Sequence, residues 1–271
     1  MTTGDTDGAA NAAHAAAASS RRAAPLKTWL RDPLPWALSA LLCAAFGMPL
    51  LKPLFAAMFP ALDRPMYEQD RFIDLLLAHL QLVPWSSSLA VVAGAASGVF
   101  VTRRAGTEFR PLVERIVAIG HTVPPVAVLA IAVPLVGFGD TPALIALALY
   151  GLLPIVRGTI AGIESVPLAA QMAARGVGMN AWQRLIRIEL PLAAPVMLAG
   201  VRTSVGINIG TAAIASTVGA RTLGSPIIVG LSGFNTAYVI QGAVLLALLA
   251  VVCDLAFERG ARCLERWRDA R

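Results

Sequence analysis

Six long apolar stretches restrict this chain to a bundle of membrane-spanning helices. They cover residues 34–58, 80–102, 112–137, 141–161, 195–219 and 236–258. Each supplies the roughly 20 apolar residues with which an α-helix crosses the hydrocarbon core of a bilayer. Charged residues make up only 14% of the chain, whereas an average soluble domain has about 25%. We therefore predict an all-α membrane protein with about six transmembrane helices, the first of which is expected to end near Leu51 because Lys52 interrupts it.

Basic residues are distributed unevenly between the loops, and this distribution predicts the orientation of the chain. Arginine and lysine are concentrated before span one, between spans two and three, between spans four and five, and after span six. Segments with this bias stay in the cytoplasm. Both termini are therefore predicted to be cytoplasmic. The net charge of +6 follows from this topology, so we do not predict a nucleic-acid partner.

The segment between the fourth and fifth spans has the pattern of two short helices joined by a turn. Ser165 is a candidate N-cap for the first helix, and two glycines, the second of which is Gly178, mark its end. Asn180 and Gln183 have the spacing of a capping box that starts the second helix, and Pro191 is expected to interrupt it before span five. On pattern alone, this pair is equally well interpreted as a surface structure whose arginines hold it against anionic lipid.

The same segment resembles the EAA coupling loop of ABC importer permeases. That motif has two alanines, a glycine four positions after the second alanine, then nine residues followed by isoleucine, one further residue and Leu-Pro. The positions that match it are Ala173, Ala174, Gly178, Ile188, Leu190 and Pro191. Met172 stands where an acidic residue often opens the motif, so the resemblance implies no acidic contact to an ATPase at that position.

The resemblance extends from about His79 to Arg262. In detail, this part of the sequence is similar to permeases of the osmoprotectant branch. Three of the segments that carry it are TVPPVAVLAI at 122–131, LYGLLPIVRGTIAGI at 149–163 and VGARTLGSPIIVGL at 218–231. The family's usual Gly-Gly before span six is replaced by Arg221-Thr222-Leu223-Gly224. One glycine of a tight turn is therefore missing.

The resemblance implies the methionine-permease-like fold of type I ABC importers and a multi-pass position in the bacterial inner (cytoplasmic) membrane. It implies import of a compatible solute, such as glycine betaine, choline or carnitine, delivered by a periplasmic or lipid-anchored binding protein. The other partners implied are a second permease copy or homologue and a dimeric ABC ATPase. Because the chain has no GxxxxGK[ST] segment, we expect a transport subunit without its own cofactor, and ATP and magnesium bound by the ATPase.

Other classes of membrane protein fit the sequence less well. A permease for another small polar solute, such as an amino acid, stays open as an alternative. A stand-alone secondary transporter would typically have internal repeats and acidic residues within its spans, but we find no repeat and only Asp140 and Asp254 at span ends. The sequence also has no carboxylate pair, metal-ligand spacing or nucleophile with its base that would indicate an enzyme or a metal site.

Composition and the resemblance together predict a division of the chain, and the resemblance implies a set of functional residues. The predicted parts are a disordered, Ala-rich cytoplasmic tail (1–32), the first span with a periplasmic loop (33–78), the ABC permease transmembrane domain (79–262) and a basic cytoplasmic C-terminus (263–271). The residues implied to couple to the ATPase are Ala173, Ala174, Gly178, Trp182, Ile188, Leu190 and Pro191.

Span five has a polar stripe that we predict to line the translocation path. Ser204, Asn208 and Thr211 follow one another at spacings of four and three residues, which places them on one helical face. An asparagine in a span faces protein or water more often than lipid. Hydrogen bonding between helices is the alternative role for this stripe.

Four further hypotheses concern single positions and one loop. The loop at 60–78 is the predicted docking surface for the binding protein, or else an interfacial helix, with an apolar stripe of Phe72, Leu75, Leu76 and His79. Arg202 is expected to snorkel or to form an ion pair, with Asp254 as the candidate partner. His121 is expected to be a hydrogen-bonded packing residue. Glycine pairs at 94/98 and 206/210 would allow close helix approach.

Overall fold

The computed structural model describes residues 32–269, with side chains described as far as residue 262. All regular structure within these residues is helical, as predicted. The helices are α1 (Pro33–Gly47), α2 (Lys52–Met58), α3 (Phe72–Val101), α4 (Arg110–Thr122), α5 (Pro125–Val136), α6 (Asp140–Glu164), α7 (Leu168–Gly176), α8 (Ala181–Arg184), α9 (Leu190–Ala212), α10 (Ser225–Ser232) and α11 (Thr236–Asp269). The predicted tail lies outside the described residues except for Asp32.

Five helical stretches of the described part are long and apolar enough to cross a bilayer. They are Pro33–Met58, Phe72–Val101, Asp140–Glu164, Ala181–Ala212 and Thr236–Arg262. A sixth crossing is counted if the bent pair Thr107–Thr122 and Pro125–Val136 forms one span. The structure therefore contains five or six crossings, which agrees with the predicted number.

The predicted third span, 112–137, is not one straight helix. Its two halves, α4 and α5, meet at an angle of 93°. The cause is the Pro124-Pro125 pair, because a residue before proline is sterically driven out of the α-helical conformation. Val123 has ψ 126° and Pro124 has ψ 137°, so both are extended. A helix cannot continue through two extended residues, and the chain turns sharply at this point.

The first span continues past the lysine at which it was expected to end. A short 3-10 turn, Met48–Leu51, joins α1 to α2, and the helical stretch reaches Met58. Lys52 donates a hydrogen bond to Glu68 of the following loop at 2.7 Å. Because this ion pair supplies a partner for the charge, the lysine does not force the helix to end there.

Helix α6 is the centre of the bundle, and glycines allow α3 and α9 to approach it closely. A Cβ atom at Gly94 would lie 2.9 Å from Ile155, and one at Gly98 would lie 2.7 Å from Thr159. Where α9 meets α6, a Cβ atom at Gly200 would lie 2.7 Å from the carbonyl oxygen of Pro154. The close approach predicted for the 94/98 pair is therefore confirmed. A Cβ atom at Gly206 or Gly210 would meet no atom within 4 Å, so no helix in the described part of the chain approaches this pair closely.

The beginning of the first helix and the end of the last helix lie at the same side of the bundle. Asp32 caps α1 by accepting a hydrogen bond from the backbone N–H of Leu34 at 3.1 Å. Its carboxylate also pairs with Arg259 of α11 at 2.9 Å. This arrangement is the one required if both termini are on one side of the membrane, while the cytoplasmic identity of that side stays a prediction.

Candidate functional site

The segment between α6 and α9 begins differently from the prediction. Ser165 does not cap α7; its hydroxyl donates to the carbonyl of Gly162 at 2.7 Å, and it forms the C-terminal end of α6. Helix α7 starts after Pro167, which has extended ψ of 133° and no side chain that could accept a hydrogen bond. The predicted N-cap at Ser165 is therefore wrong, because that hydroxyl is used by the helix that precedes it.

The turn after α7 has the geometry for which its glycine is needed. Gly178 has φ +78°, a left-handed conformation that costs an L-residue roughly 1–2 kcal/mol. The backbone N–H of Gly178 donates to Arg175 O at 3.0 Å, and that of Met179 donates to Ala174 O at 3.0 Å. These two hydrogen bonds form a Schellman motif. The predicted end of the first helix at this glycine is confirmed.

The second helix starts at the predicted capping box and then runs into the membrane. Asn180 Oδ1 accepts from the N–H of Gln183 at 2.8 Å, and Gln183 Oε1 accepts from the N–H of Asn180 at 3.0 Å. Helix α8 continues through a π-helical turn, Leu185–Glu189, directly into α9. Pro191 does not interrupt it. Proline has no backbone N–H to donate to the preceding turn, and the irregular π turn before α9 accommodates this loss.

The residues implied to couple to an ATPase divide into an exposed group and a supporting group. Gly178, Ala173 and Pro191 are exposed, and Trp182 is 68% exposed. Ala174 is buried, whereas Ile188 and Leu190 are half-buried. The exposed side also includes three apolar residues that the motif does not predict: Leu168 (68%), Met172 (60%) and Val177 (74%). We call Leu168, Met172, Val177 and Trp182 the apolar tip.

An apolar tip of this kind is unusual on a segment that is otherwise polar. Scattered apolar residues are normal on a protein surface, but a group of large ones on one short segment indicates a contact with a partner. The described part of the chain does not cover it. Sequence reasoning missed three of its four members because helical spacing alone does not show which face of a loop is free.

The polar stripe predicted to line the path lies mostly inside the protomer. Ser204 and Asn208 are fully buried, whereas Thr211 is half-buried. Asn208 Nδ2 donates to Ser87 Oγ of α3 at 3.0 Å. A Cβ atom at Gly151 of α6 would lie 2.6 Å from Ser204 Oγ. The bond to Ser87 supports the hydrogen-bonded packing alternative for Asn208, whereas Ser204 Oγ and Asn208 Oδ1 are buried without a hydrogen-bond partner in the described part of the chain. The path-lining role of the stripe stays a prediction.

The contacts confirm two of the hypotheses about single residues. Arg202 and Asp254 form a two-pronged ion pair, with N–O distances of 2.6 and 2.7 Å. The arginine therefore has a partner at the depth where an unpaired charge would be costly. His121 Nδ1 donates to the carbonyl of Tyr150 at 3.2 Å, and the two rings are 5.3 Å apart. The histidine thus ties α4 to α6 as a packing residue.

The apolar stripe predicted as an outer docking surface is buried. Phe72, Leu75, Leu76 and His79 are each at most 3% exposed. They belong to α3, which begins at Phe72 rather than near residue 80, and the three apolar residues pack into the main core. The prediction that this stripe docks a binding protein is therefore wrong, because helical spacing shows a shared face without showing what covers it.

A network of hydrogen bonds instead holds residues 59–71, which the predicted orientation places on the outer side and which we call the outer loop, against α11. Gln241 accepts from the N–H of Tyr67 at 3.1 Å and donates to Pro65 O at 2.7 Å. The Tyr67 hydroxyl donates to Asp70 at 3.0 Å, and Asp70 also pairs with Arg221 at 3.3 Å. Burial, together with the bond to Asp70, raises the pKa of Tyr67 well above its ordinary value. The loop is consequently a fixed surface.

The turn in which the family's first glycine is missing is held by hydroxyl groups. Thr222 is fully buried, and its hydroxyl donates to Ala212 O at 3.1 Å and accepts from the N–H of Gly224 at 3.0 Å. A Cβ atom at Gly224 would lie 2.0 Å from Ala213 O. A side chain at position 224 would therefore prevent the turn from closing, and Gly224 is the glycine that this chain retains.

One further exposed residue stands out that sequence reasoning did not identify. Phe234, between α10 and α11, is 89% exposed and has φ +54°, a conformation that is strained for a bulky residue. Its neighbour Asn235 donates to Arg64 O at 2.8 Å and so joins this turn to the outer loop. No sequence pattern could have found it, because both its conformation and its exposure depend on the tertiary structure.

Comparison with known proteins places this site in context. The family model described as "Binding-protein-dependent transport system inner membrane component" matches residues 90–268, more than half of the chain. Osmoprotectant import permease protein OsmY of Salmonella typhimurium is 46% identical over 187 residues, which are 68% of this chain and 79% of that protein. Glycine betaine/carnitine/choline transport system permease protein OpuCB of Bacillus subtilis is 37% identical over 176 residues, 65% of this chain and 80% of that protein.

Among solved structures, the chain is similar to one from inward-facing conformations of the MetNI methionine ABC transporter. The TM-score is 0.65 at 23% identity, over 71% of this chain and 95% of that one. An identity this low establishes a shared fold and carries no information about the solute. The predicted methionine-permease-like fold is confirmed.

Proposed function

This chain belongs to the family of binding-protein-dependent transport system inner membrane components, and from that premise we propose that it imports a compatible solute. The solute class is glycine betaine, choline or a related quaternary amine. One observation carries this proposal: the chain is 46% identical to an osmoprotectant import permease, and the match covers 79% of that permease. As a member of this family the chain is a transport subunit of the inner membrane.

The apolar tip and the turn at Gly178 are the surface through which a partner ATPase would drive transport. In this proposal, Trp182 and Val177 insert into a groove of the ATPase, which binds ATP and magnesium. Gly178 gives the turn its shape, and the buried Ala174 anchors it. The continuous helix from α8 to α9 supports the mechanism, because a movement of the turn is transmitted through Ile188, Leu190 and Pro191 into a membrane span without an intervening loop.

The path itself requires a second permease, either another copy or a homologue. One face of α9, carrying Thr203, Gly206 and Gly210, is exposed, and a Cβ atom at either glycine would meet no atom within 4 Å. Because this face carries only small residues, it would leave room for a solute between two permeases. Thr211, which is half-buried, is the member of the predicted stripe that remains available to contact the solute. Ser204 and Asn208 would support this face from behind.

The binding protein would dock on the outer surface formed by the loop at 59–71 and the turn at Phe234. The loop is held rigidly by Gln241 and Asn235, and a preformed surface lowers the entropic cost of docking. Selectivity for a quaternary amine would reside mainly in the binding protein. Cages of aromatic side chains recognise such ligands, but aromatic residues make up only 6% of this chain.

The test is uptake of labelled solute by cells that lack betaine transport. The chain would be co-expressed with the ATPase and the binding protein encoded beside it, and accumulation of glycine betaine, choline and an amino acid such as methionine would be measured. Uptake of glycine betaine or choline that is abolished by an inactive ATPase is the expected result. Uptake of the amino acid alone would replace the proposed solute class, and uptake without the ATPase would contradict the importer mechanism.

A further inference from the structure

A large cavity opens at the side of the bundle where the segment between α6 and α9, residues 165–189, lies; we call it the coupling segment. It has a volume of about 900 Å³ and lies between the ends of two spans, the turn that follows α3 and the helices α7 and α8. Val101 and Ile163, at the ends of α3 and α6, form its apolar wall. Because these residues mark where two spans end, the cavity lies at the height of the lipid headgroups.

The cavity has more positive than negative charge. Its lining includes five arginines and two glutamates: Arg103, Arg104, Arg110, Arg175, Arg184, Glu164 and Glu189. Arg103 pairs with Glu189 at 2.6 Å, and Arg110 pairs with Glu164. Three arginines are left without a carboxylate among the residues that the structure describes. The lining of the cavity therefore has an excess of positive charge, and guanidinium groups form strong charge-assisted hydrogen bonds with phosphate oxygens.

Among these arginines, Arg184 gives the most direct indication that the cavity binds a ligand. Its Nη1 atom is 3.5 Å from Met179 O, at the limit of a hydrogen bond, and its Nε atom is buried without a partner in the described part of the chain. A buried guanidinium N–H that finds no acceptor is costly. An anionic oxygen in the cavity would remove that cost and would explain why this side chain is turned inward.

An apolar strip adjoins the cavity and indicates that its ligand is an amphiphile. Phe100 and Phe109 are 46% and 50% exposed, and their rings are 6.1 Å apart. Each directly precedes a residue that lines the cavity. Leu112 and Ile116 continue the exposed strip along α4, at 54% and 58% exposure. Acyl chains on this strip would bring a phosphate group to the mouth of the cavity.

We propose that this cavity binds the phosphate headgroup of an anionic phospholipid of the cytoplasmic leaflet. Basic pockets between membrane helices are suited to such headgroups, and the adjoining apolar strip distinguishes a lipid from a free anion. The site lies between the turn after α3 and the coupling segment, so a bound lipid would brace that segment from the membrane side. The proposal does not depend on which solute the transporter carries.

The test counts lipids bound to the full chain in detergent by native mass spectrometry. Dioleoylphosphatidylglycerol and dioleoylphosphatidylcholine are titrated separately into the wild type and into Arg104→Gln, Arg184→Gln and the double variant. We expect the anionic lipid to bind more tightly to the wild type. Its affinity should fall by about fivefold for each arginine removed, which is the factor expected for one basic residue near an anionic surface.

Two control variants separate lipid binding from misfolding. Arg187→Gln removes an exposed arginine three residues from Arg184 that does not line the cavity, and lipid binding should be unchanged. Arg184→Lys keeps the charge and should retain most of the affinity. Equal binding of the two lipids would overturn the proposal, as would tighter binding of inorganic phosphate than of the anionic lipid. Unchanged lipid binding by the double variant, together with loss of its co-purifying ATPase, would assign the cavity to the ATPase instead.

Discussion

At the scale of single residues, Gly178 is the position where backbone geometry and function coincide. Gly178→Val places a β-branched side chain at φ +78°, which is strongly disfavoured. We expect the turn to change shape, so that solute uptake falls several-fold while ATP hydrolysis by the co-purified ATPase continues. Both are measured on the same transporter in proteoliposomes.

Gly176→Val is the matched control, because it lies in the same turn region at negative φ and a Cβ atom there meets nothing within 4 Å. It should keep uptake close to that of the wild type. Coupled transport by Gly178→Val, at the wild-type ratio of solute to ATP, would remove the turn from the coupling mechanism.

Phe234 is the second residue at which the structure suggests a specific role. Stability alone would favour glycine there, since the aromatic ring is 89% exposed at φ +54°. Aromatic anchors of this kind often dominate interface energies, at about 2 kcal/mol or more each. We expect Phe234→Ala to weaken docking of the binding protein by about tenfold or more, measured by titrating that protein against the transporter in nanodiscs. Phe46→Ala, an exposed residue of the first span, should have no effect; an equal loss from both variants would argue against a specific anchor.

At the scale of elements, the contact of α6 with α9 depends on glycines that allow the helix backbones to touch. A Cβ atom at Gly200 would lie 2.7 Å from Pro154 O, and overpacking of this kind costs about 1–3 kcal/mol. Gly200→Ala should therefore lower the thermal unfolding temperature of the purified chain. Gly206→Ala, on the same helix with no atom nearby, should leave the temperature unchanged. If the two variants unfold alike, the close contact of α6 and α9 is not needed for stability.

The contact of α9 with α3 has a different basis, a hydrogen bond between Asn208 and Ser87. Asn208→Leu and Ser87→Ala should each destabilise the fold. In a double-mutant cycle their effects should couple by about 0.6 kcal/mol, the average that such cycles give for a side-chain hydrogen bond between membrane helices. Unfolding in detergent measures the coupling, and uptake by the same variants tests the path. Normal stability with lost uptake for Asn208→Leu would return this residue to the translocation path.

At the scale of the whole molecule, the ion pair between Asp32 and Arg259 requires an even number of crossings, which the bent pair α4 and α5 supplies as the sixth. Together with the distribution of basic residues, this number predicts which loops face which side. We expect a membrane-impermeant maleimide to label Gln69→Cys in the outer loop of intact cells. Glu108→Cys, in the turn between α3 and α4, should react only after the cells are opened. The native cysteines at 43, 253 and 263 are first replaced by alanine. Labelling of Glu108→Cys in intact cells would reverse the predicted orientation.

Much of this molecule could be predicted from local sequence patterns. The apolar stretches determine an all-helical membrane fold, because the bilayer interior admits few other structures for such a chain. The capping box at Asn180 and the glycine turn at Gly178 are local hydrogen-bonded motifs, so a short stretch of sequence specifies them. The high cost of an unpaired charge in a span predicted that Arg202 would have a partner, and the structure shows that the candidate Asp254 is that partner.

Only the tertiary structure decided which helical faces meet protein and which stay free. In a membrane protein both lipid and core are apolar, so periodicity shows that Ser204 and Asn208, or Phe72 and Leu75, share a face without showing what covers it. Both faces proved to be buried. The 93° bend at Pro124-Pro125, the exposure of Phe234 and the arginine-lined cavity likewise depend on contacts between segments far apart in sequence, and no local pattern specifies such contacts.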